Sequence, residues 1–170
     1  MASDLWSRSL DEWGESRVVS LDISKAFDRV WHKGLLHKLP AYGICGTALQ
    51  WILSYLSNRR ISVVVEGVSS DNLSINAGVP QGSVLGPTLF LLYINDLPDQ
   101  LQSDIFVFAD DTTLSQSTHY KSQSESSHLL EEKRAESAEV LNNDLENIAE
   151  WGKNGLLPLI PLKHKPSISP

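Results

Sequence analysis

This sequence predicts an α+β fold, in which helices pack on one face of an antiparallel sheet. Three observations carry that expectation. Arg17–Ile23 (RVVSLDI) is a β-branched, apolar run with the composition of a buried strand. Asp104–Ala109 and Thr112–Ser115 are short strand-like segments flanking Asp110-Asp111, as the two arms of a tight hairpin would. Around them lie segments with apolar residues at helical spacing, so the order is strand, helices, hairpin, helix, hairpin, helix.

Taken in turn, residues 1–16 are polar and irregular, with Trp6 and Trp13 as anchors. The strand Arg17–Ile23 brings Asp22 to its end. Helical spacing follows in Lys33–Leu39 and in Ala48–Leu56, where Leu49, Ile52, Leu53 and Leu56 would line one face. Arg60–Glu66 and Asn72–Ala77 read as two strands of a hairpin, separated by a loop at Gly67–Asp71. Gly78-Val79-Pro80-Gln81-Gly82 is a turn leading into a helix that carries Leu85, Leu89, Leu92 and Tyr93 on one side. Pro87 suits its first turn. Residues 116–127 are polar and read as a loop. Leu129–Trp151 is an amphipathic helix with Ala138, Leu141, Leu145 and Ile148 toward the core, ended by Gly152 and Asn154-Gly155. The tail to Pro170 shows no element.

Composition narrows the function classes. A 170-residue chain with 41% hydrophobic residues can bury one real core. The apolar run at Pro87–Leu92 falls far short of the roughly 20 residues that span a membrane, and nothing resembles a signal peptide. The single cysteine, Cys45, excludes an internal disulfide and a Cys-based zinc site, so an intracellular protein is expected. His32 and His37 do not share a helical face and make a poor metal pair. Gly82-Ser83-Val84-Leu85-Gly86 lacks the spacing of a hydrolase nucleophile elbow, and no phosphate-loop motif is present. The formal charge of −7, from 21 acidic and 14 basic residues, is opposite in sign to what phosphate binding uses.

The carboxylates carry the chemistry. A carboxylate at the end of an apolar strand or hairpin loses hydration unless something positive balances it. Adjacent aspartates in extended backbone point to opposite faces, so one of Asp110 and Asp111 can meet Asp22 across a sheet. Three converging carboxylates form a hard oxygen cage suited to Mg²⁺. The alternative for Asp110-Asp111 is an ordinary turn, which aspartate favours.

Three ordered segments together resemble the reverse transcriptases. Leu21-Asp22-Ile23-Ser24-Lys25-Ala26-Phe27-Asp28-Arg29-Val30-Trp31-His32 is similar to the first palm motif of that family. Gly78-Val79-Pro80-Gln81-Gly82-Ser83-Val84-Leu85-Gly86-Pro87 is similar to the second, and Phe108-Ala109-Asp110-Asp111 to the third. The wording is closest to the enzymes of non-LTR, LINE-type and jockey-like retrotransposons, as are Ser54-Tyr55-Leu56-Ser57-Asn58-Arg59 and Leu92-Tyr93-Ile94-Asn95-Asp96-Leu97. The likeness is close over residues 17–115 and loose over 140–165.

The resemblance implies an RNA-directed DNA polymerase palm over residues 17–165, between an irregular segment (1–16) and a tail (166–170), with fingers and thumb largely missing. It implies two Mg²⁺ ions, for which Mn²⁺ can substitute, held by Asp22, Asp110, Asp111 and the backbone carbonyl of Ile23. Lys25 and Ala26 would lie near the triphosphate, and Gln81 and Gly82 would contact the incoming nucleotide. Phe27 takes the position of the family's steric gate against a 2′-hydroxyl; on the residues alone it equally suits a core aromatic. Lys163 falls where the family places a lysine near the leaving pyrophosphate, although Gly155, Pro158, Ile160, Pro161 and His164 depart from the pattern around it. Asp28 belongs to the first motif but suits a salt bridge or a helix role near Arg29 better than metal ligation, and Arg59 and Arg60 read either as contacts to the template or, more ordinarily for a helix end, as solvated arginines. The implied partners are an RNA template, a DNA primer, dNTPs and the rest of a retrotransposon polyprotein, without a membrane; a nuclear location is implied by the resemblance only. The competing expectation is a catalytically inert remnant or a domesticated binding fragment.

Overall fold

The computed structural model describes residues 14–108, 111–119, 127–155 and 159–161. Helices and antiparallel sheets are both present, as an α+β fold requires. The chain divides into two compact units. One comprises Met1–Ser24, Asp96–Lys153 and Pro158–Pro170, and the other Lys25–Asn95 and Asn154–Leu157. No described helix is long and apolar enough to cross a membrane.

The first unit is built on a four-stranded sheet. Its strands are β1 (Gly14–Ile23), β6 (Asp104–Phe108), β7 (Asp111–His119) and β8 (Leu159–Pro161), in the order β6-β7-β1-β8. All three pairings are antiparallel. The register places Leu21 opposite Thr112 and Val19 opposite Leu114, so the buried Leu21, Ile23, Thr112 and Leu114 share one face. A long helix, α4 (Ser127–Asn154), is tied to that face by Arg134, whose Nε donates to Glu15 Oε2 at 2.7 Å.

Three expectations change here. Residues 116–119 continue β7 rather than forming a loop, because Gly14–Arg17 supply a ladder that satisfies their backbone groups. For the same reason β1 starts at Gly14, inside the segment expected to be irregular. Leu159–Pro161, expected to carry no element, pairs with Leu21–Ile23 as an edge strand, where proline's missing N–H is tolerated.

The buried stripe of α4 is Ser137, Leu141, Asp144, Ile148 and Trp151, so Asp144 takes the place expected for Leu145. A buried aspartate is stable only if hydrogen-bonded. Its Oδ2 accepts from Ser103 N at 2.7 Å, and Gln102 N donates to Oδ1 at 3.0 Å and to Oδ2 at 3.2 Å. The helix runs through buried Gly152 and stops at Asn154, so Gly152 does not end it.

The second unit holds α1 (His32–Lys38), α2 (Gly46–Leu56) and α3 (Leu85–Ile94). In α3 the buried residues are Gly86, Leu89, Phe90, Tyr93 and Ile94, a wider stripe than the spacing of Leu85, Leu89, Leu92 and Tyr93 suggested. In α2 the buried positions are Ile52 and Leu56; Leu53 stands at the edge of the stripe, 39% exposed. The hairpin is nested. β2 (Arg59–Ile61) pairs with β5 (Leu73–Ile75), and β3 (Val64–Val65) pairs with β4 (Val68–Ser69). Its turn is the two-residue Glu66-Gly67, both at positive φ, rather than the expected loop at Gly67–Asp71.

Candidate active site

Asp22 lies on a central strand, opposite Asp111 on β7 and Ile160 on β8. Residues directly opposite in an antiparallel pair present their side chains to the same face, with Cβ atoms roughly 5 Å apart. Asp22 and Asp111 therefore share the face opposite the one that buries Leu21 and Thr112. Ser20 opposite Thr113, and Phe108 opposite Asp111, belong to the same face. It is open: Asp111 is exposed, Asp22 half-buried, and Phe108 is 83% exposed. Ile23, next to Asp22, points its side chain the other way and is buried.

Like charges directly opposite repel across strands. Neither Asp22 nor Asp111 has a Lys, Arg or His partner among the described residues. Two hard oxygen donors facing one way without a cationic partner fit a divalent ion. Among the described residues no group of three or more His, Cys, Asp or Glu is arranged to hold a metal. Asp110, the third carboxylate of the expected set, lies outside the described residues, as does Lys163.

The nucleotide-facing candidates sit in the second unit, and the backbone draws them together. Val79 N donates to Phe27 O at 2.7 Å, and Gly78 N to Val30 O at 2.8 Å. These bonds splice the turn Gly78–Gly82 onto the one-turn 3₁₀ segment Ala26–Asp28. The approach is close enough to need glycine: a Cβ at Gly78 would stand 2.8 Å from Asp28 O, on a backbone with φ +87. At Gly82 no atom lies within 4 Å of an added Cβ, so its requirement is the φ of +77 rather than crowding.

Across this splice Gln81 Nε2 donates to Asp28 Oδ1 at 2.9 Å. Asp28 thus pairs with a glutamine from the second motif. No ion pair with Arg29 is found among the described residues. Phe27 is half-buried and leans on fully buried Phe90, with ring centroids 4.8 Å apart. Lys25 is exposed with φ 55, an uncommon conformation for lysine, and Ala26 is buried. The Gln81–Asp28 bond had no signal in the sequence beyond the polarity of the two residues. Asp144 had one: Leu141, Ile148 and Trp151 share a stripe on which 144 falls.

The comparisons agree with the motifs. A sequence profile of the family described as reverse transcriptase (RNA-dependent DNA polymerase) matches residues 5–164. The "RNA-directed DNA polymerase from mobile element jockey" of Drosophila funebris is 49% identical over 80 residues, which is 47% of this chain and 9% of that protein. The "Probable RNA-directed DNA polymerase from transposon BS" of Drosophila melanogaster is 32% identical over 170 residues, 92% of this chain and 17% of that protein. The X-element polymerase of the same species, also named as probable, is 42% identical over 102 residues, 54% of this chain and 10% of that protein. The chain thus spans under a fifth of the length of these relatives. With the profile match covering nearly all of it, the chain belongs to the reverse transcriptase family and is similar to the polymerases of jockey-like, non-LTR retrotransposons.

Proposed function

We propose that residues 17–165 are the palm of an RNA-directed DNA polymerase that joins a dNTP to a primer 3′-hydroxyl during retrotransposition. The observation that carries this is the pairing of Asp22 with Asp111 on an open face of the sheet, at the tip of the β6–β7 hairpin. Asp22, Asp110, Asp111 and the carbonyl of Ile23 are the proposed holders of two Mg²⁺ ions, with Mn²⁺ able to substitute. Bound there, such ions would activate the attacking hydroxyl and stabilise the leaving pyrophosphate. Lys25, Ala26, Gln81 and Gly82 are assigned to the incoming nucleotide. For Gln81 the hydrogen bond to Asp28 would fix the side chain before a nucleotide arrives, which lowers the ordering cost of binding. Lys163 is the proposed proton donor to pyrophosphate. The partners would be an RNA template, a DNA primer and the remainder of the retrotransposon polyprotein.

Metal linkage tests the site. Millimolar Mg²⁺ or Mn²⁺ should raise the melting temperature of the chain, because a ligand bound only by the native state stabilises it, by about 2.7 kcal/mol at a hundredfold excess over Kd. Asp22→Asn should remove most of that shift. A melting temperature indifferent to both ions would remove the support for a metal site.

The Phe27 assignment has its own test. In the polymerase that contains this segment, Phe27→Val should admit ribonucleotides, lowering dNTP-over-rNTP discrimination roughly 10- to 100-fold through loss of a clash. Turnover of dNTPs should fall much less. Equal losses for both substrates would mark Phe27 as a packing residue for Phe90 only.

The net charge of −7 favours a second reading, an inert remnant or a domesticated binding fragment. It predicts no extension even when the full flanking polymerase is restored.

A further inference from the structure

We propose that the face of α2 bearing Trp51, Tyr55 and Arg59 is a stacking platform for single-stranded nucleic acid. The three residues recur every fourth position and form a continuous ladder. The rings of Trp51 and Tyr55 stack with centroids 5.9 Å apart and planes 14° from parallel. The Arg59 guanidinium then sits over the Tyr55 ring, 5.7 Å from its centroid. Asn58, with φ 55, turns the chain out of the helix at the point that brings Arg59 back over Tyr55.

This ladder is not part of the core. The buried stripe of α2 is made by Ile52 and Leu56, and the ladder runs along its flank, with Trp51 exposed and Tyr55 half-buried. Trp51 is 57% exposed, so more than half of its surface meets solvent although one ring face stacks on Tyr55. A helical i, i+4 contact alone contributes only about 0.2–0.5 kcal/mol and does not call for the largest side chain. Aromatic faces in series beside an arginine are what sequence-tolerant single-strand binding uses, since every base presents a π-face.

Charge supplies a second, independent observation. From Arg29 to Val65 the chain has no Asp or Glu, yet it carries Arg29, Lys33, Lys38, Arg59 and Arg60. The other nine basic residues share the rest of the chain with all 21 acidic ones. The cationic part of an acidic protein is therefore concentrated in the segment that contains the ladder. α1, which bears Lys33 and Lys38, packs on α2. Neither Arg59 nor Arg60 has a carboxylate partner among the described residues. Both are available to phosphates, whose neutralisation by Lys and Arg supplies most non-specific affinity. The negative total charge is then no obstacle, because it lies elsewhere in the chain.

The platform does not depend on the carboxylate site, and its test keeps the two apart. Anisotropy of a fluorescein-labelled 12-nucleotide polyuridine RNA would be followed with the whole chain at low salt, in EDTA and without dNTPs. The same measurement would be made with a DNA strand and with a duplex. Both single strands should bind and the duplex should bind more weakly, its bases being unavailable for stacking. Trp51→Ala should weaken single-strand binding roughly 5- to 100-fold, and Trp51→Phe should retain most of it. Arg59→Ala should flatten the logarithmic salt dependence by about 0.7, as for one lost phosphate contact, whereas Arg59→Lys should keep the slope. Melting curves separate folding from binding. The proposal is overturned if Trp51→Ala binds like the native chain, if its loss only tracks a lower melting temperature, or if the duplex binds as well as the single strands. Failure of the native chain to bind any strand would also overturn it.

Discussion

Asp111→Asn, made in the proposed polymerase that carries this segment, is expected to lower dNTP-dependent primer extension by about a thousandfold or more. The change is isosteric and falls at an exposed position, so the fold should survive it. What it removes is one of two negative charges that face the same way from neighbouring strands. Charge stabilisation by a bound divalent ion is worth several kcal/mol in the transition state, and each 1.36 kcal/mol is tenfold in rate. Asp22→Asn should do the same. Without metal, both variants should melt no lower than the parent, because each relieves a repulsion between facing carboxylates. Extension within tenfold of the parent for either variant would mean that these aspartates are not the reaction's metal holders.

The largest effect on stability is expected at Asp144. Asp144→Ala should cost about 2–4 kcal/mol, because truncation leaves the N–H groups of Gln102 and Ser103 without their acceptor in a buried place. Denaturant unfolding would read this as a lower midpoint at an unchanged slope. Asp144→Asn keeps one acceptor oxygen and should lose less. A stability change below about 0.5 kcal/mol for the alanine variant would show that the turn before β6 finds other partners.

The α+β class and the element order were legible because their signals are local. Val18, Val19, Leu21 and Ile23 mark β1 by composition, and the helices announce themselves by spacing. The misplaced pieces are those whose structure is conferred from far away. Gln116 and Ser117 have no strand preference and are strand only because Arg17 and Ser16 lie beside them. Leu159–Pro161, with a proline inside it, is strand only because β1 offers an edge. In α4 a polar residue occupies a buried place because its partners, Gln102 and Ser103, belong to another segment. At the candidate site, the motifs singled out the acidic residues, and the structure supplies the register that sets Asp111 opposite Asp22. The splice of Gly78–Gly82 onto residues 26–30 could be guessed only from the glycines, since backbone bonds between distant segments leave no mark in composition.

The β1–β7 ladder joins nine register pairs, and the last of them is Asp22 with Asp111. Side chains alternate along each strand, so the face that Asp22 presents is counted out residue by residue from every other pair in the ladder. A codon lost between residues 15 and 21 would either turn Asp22 into the core or drive Leu21 out of it. A codon lost or gained in the stretch between β7 and α4 leaves that count untouched. In copies of a mobile element that accumulate insertions and deletions, in-frame length changes should thus separate by location: lethal to the site within the two strands, and tolerated at their far ends.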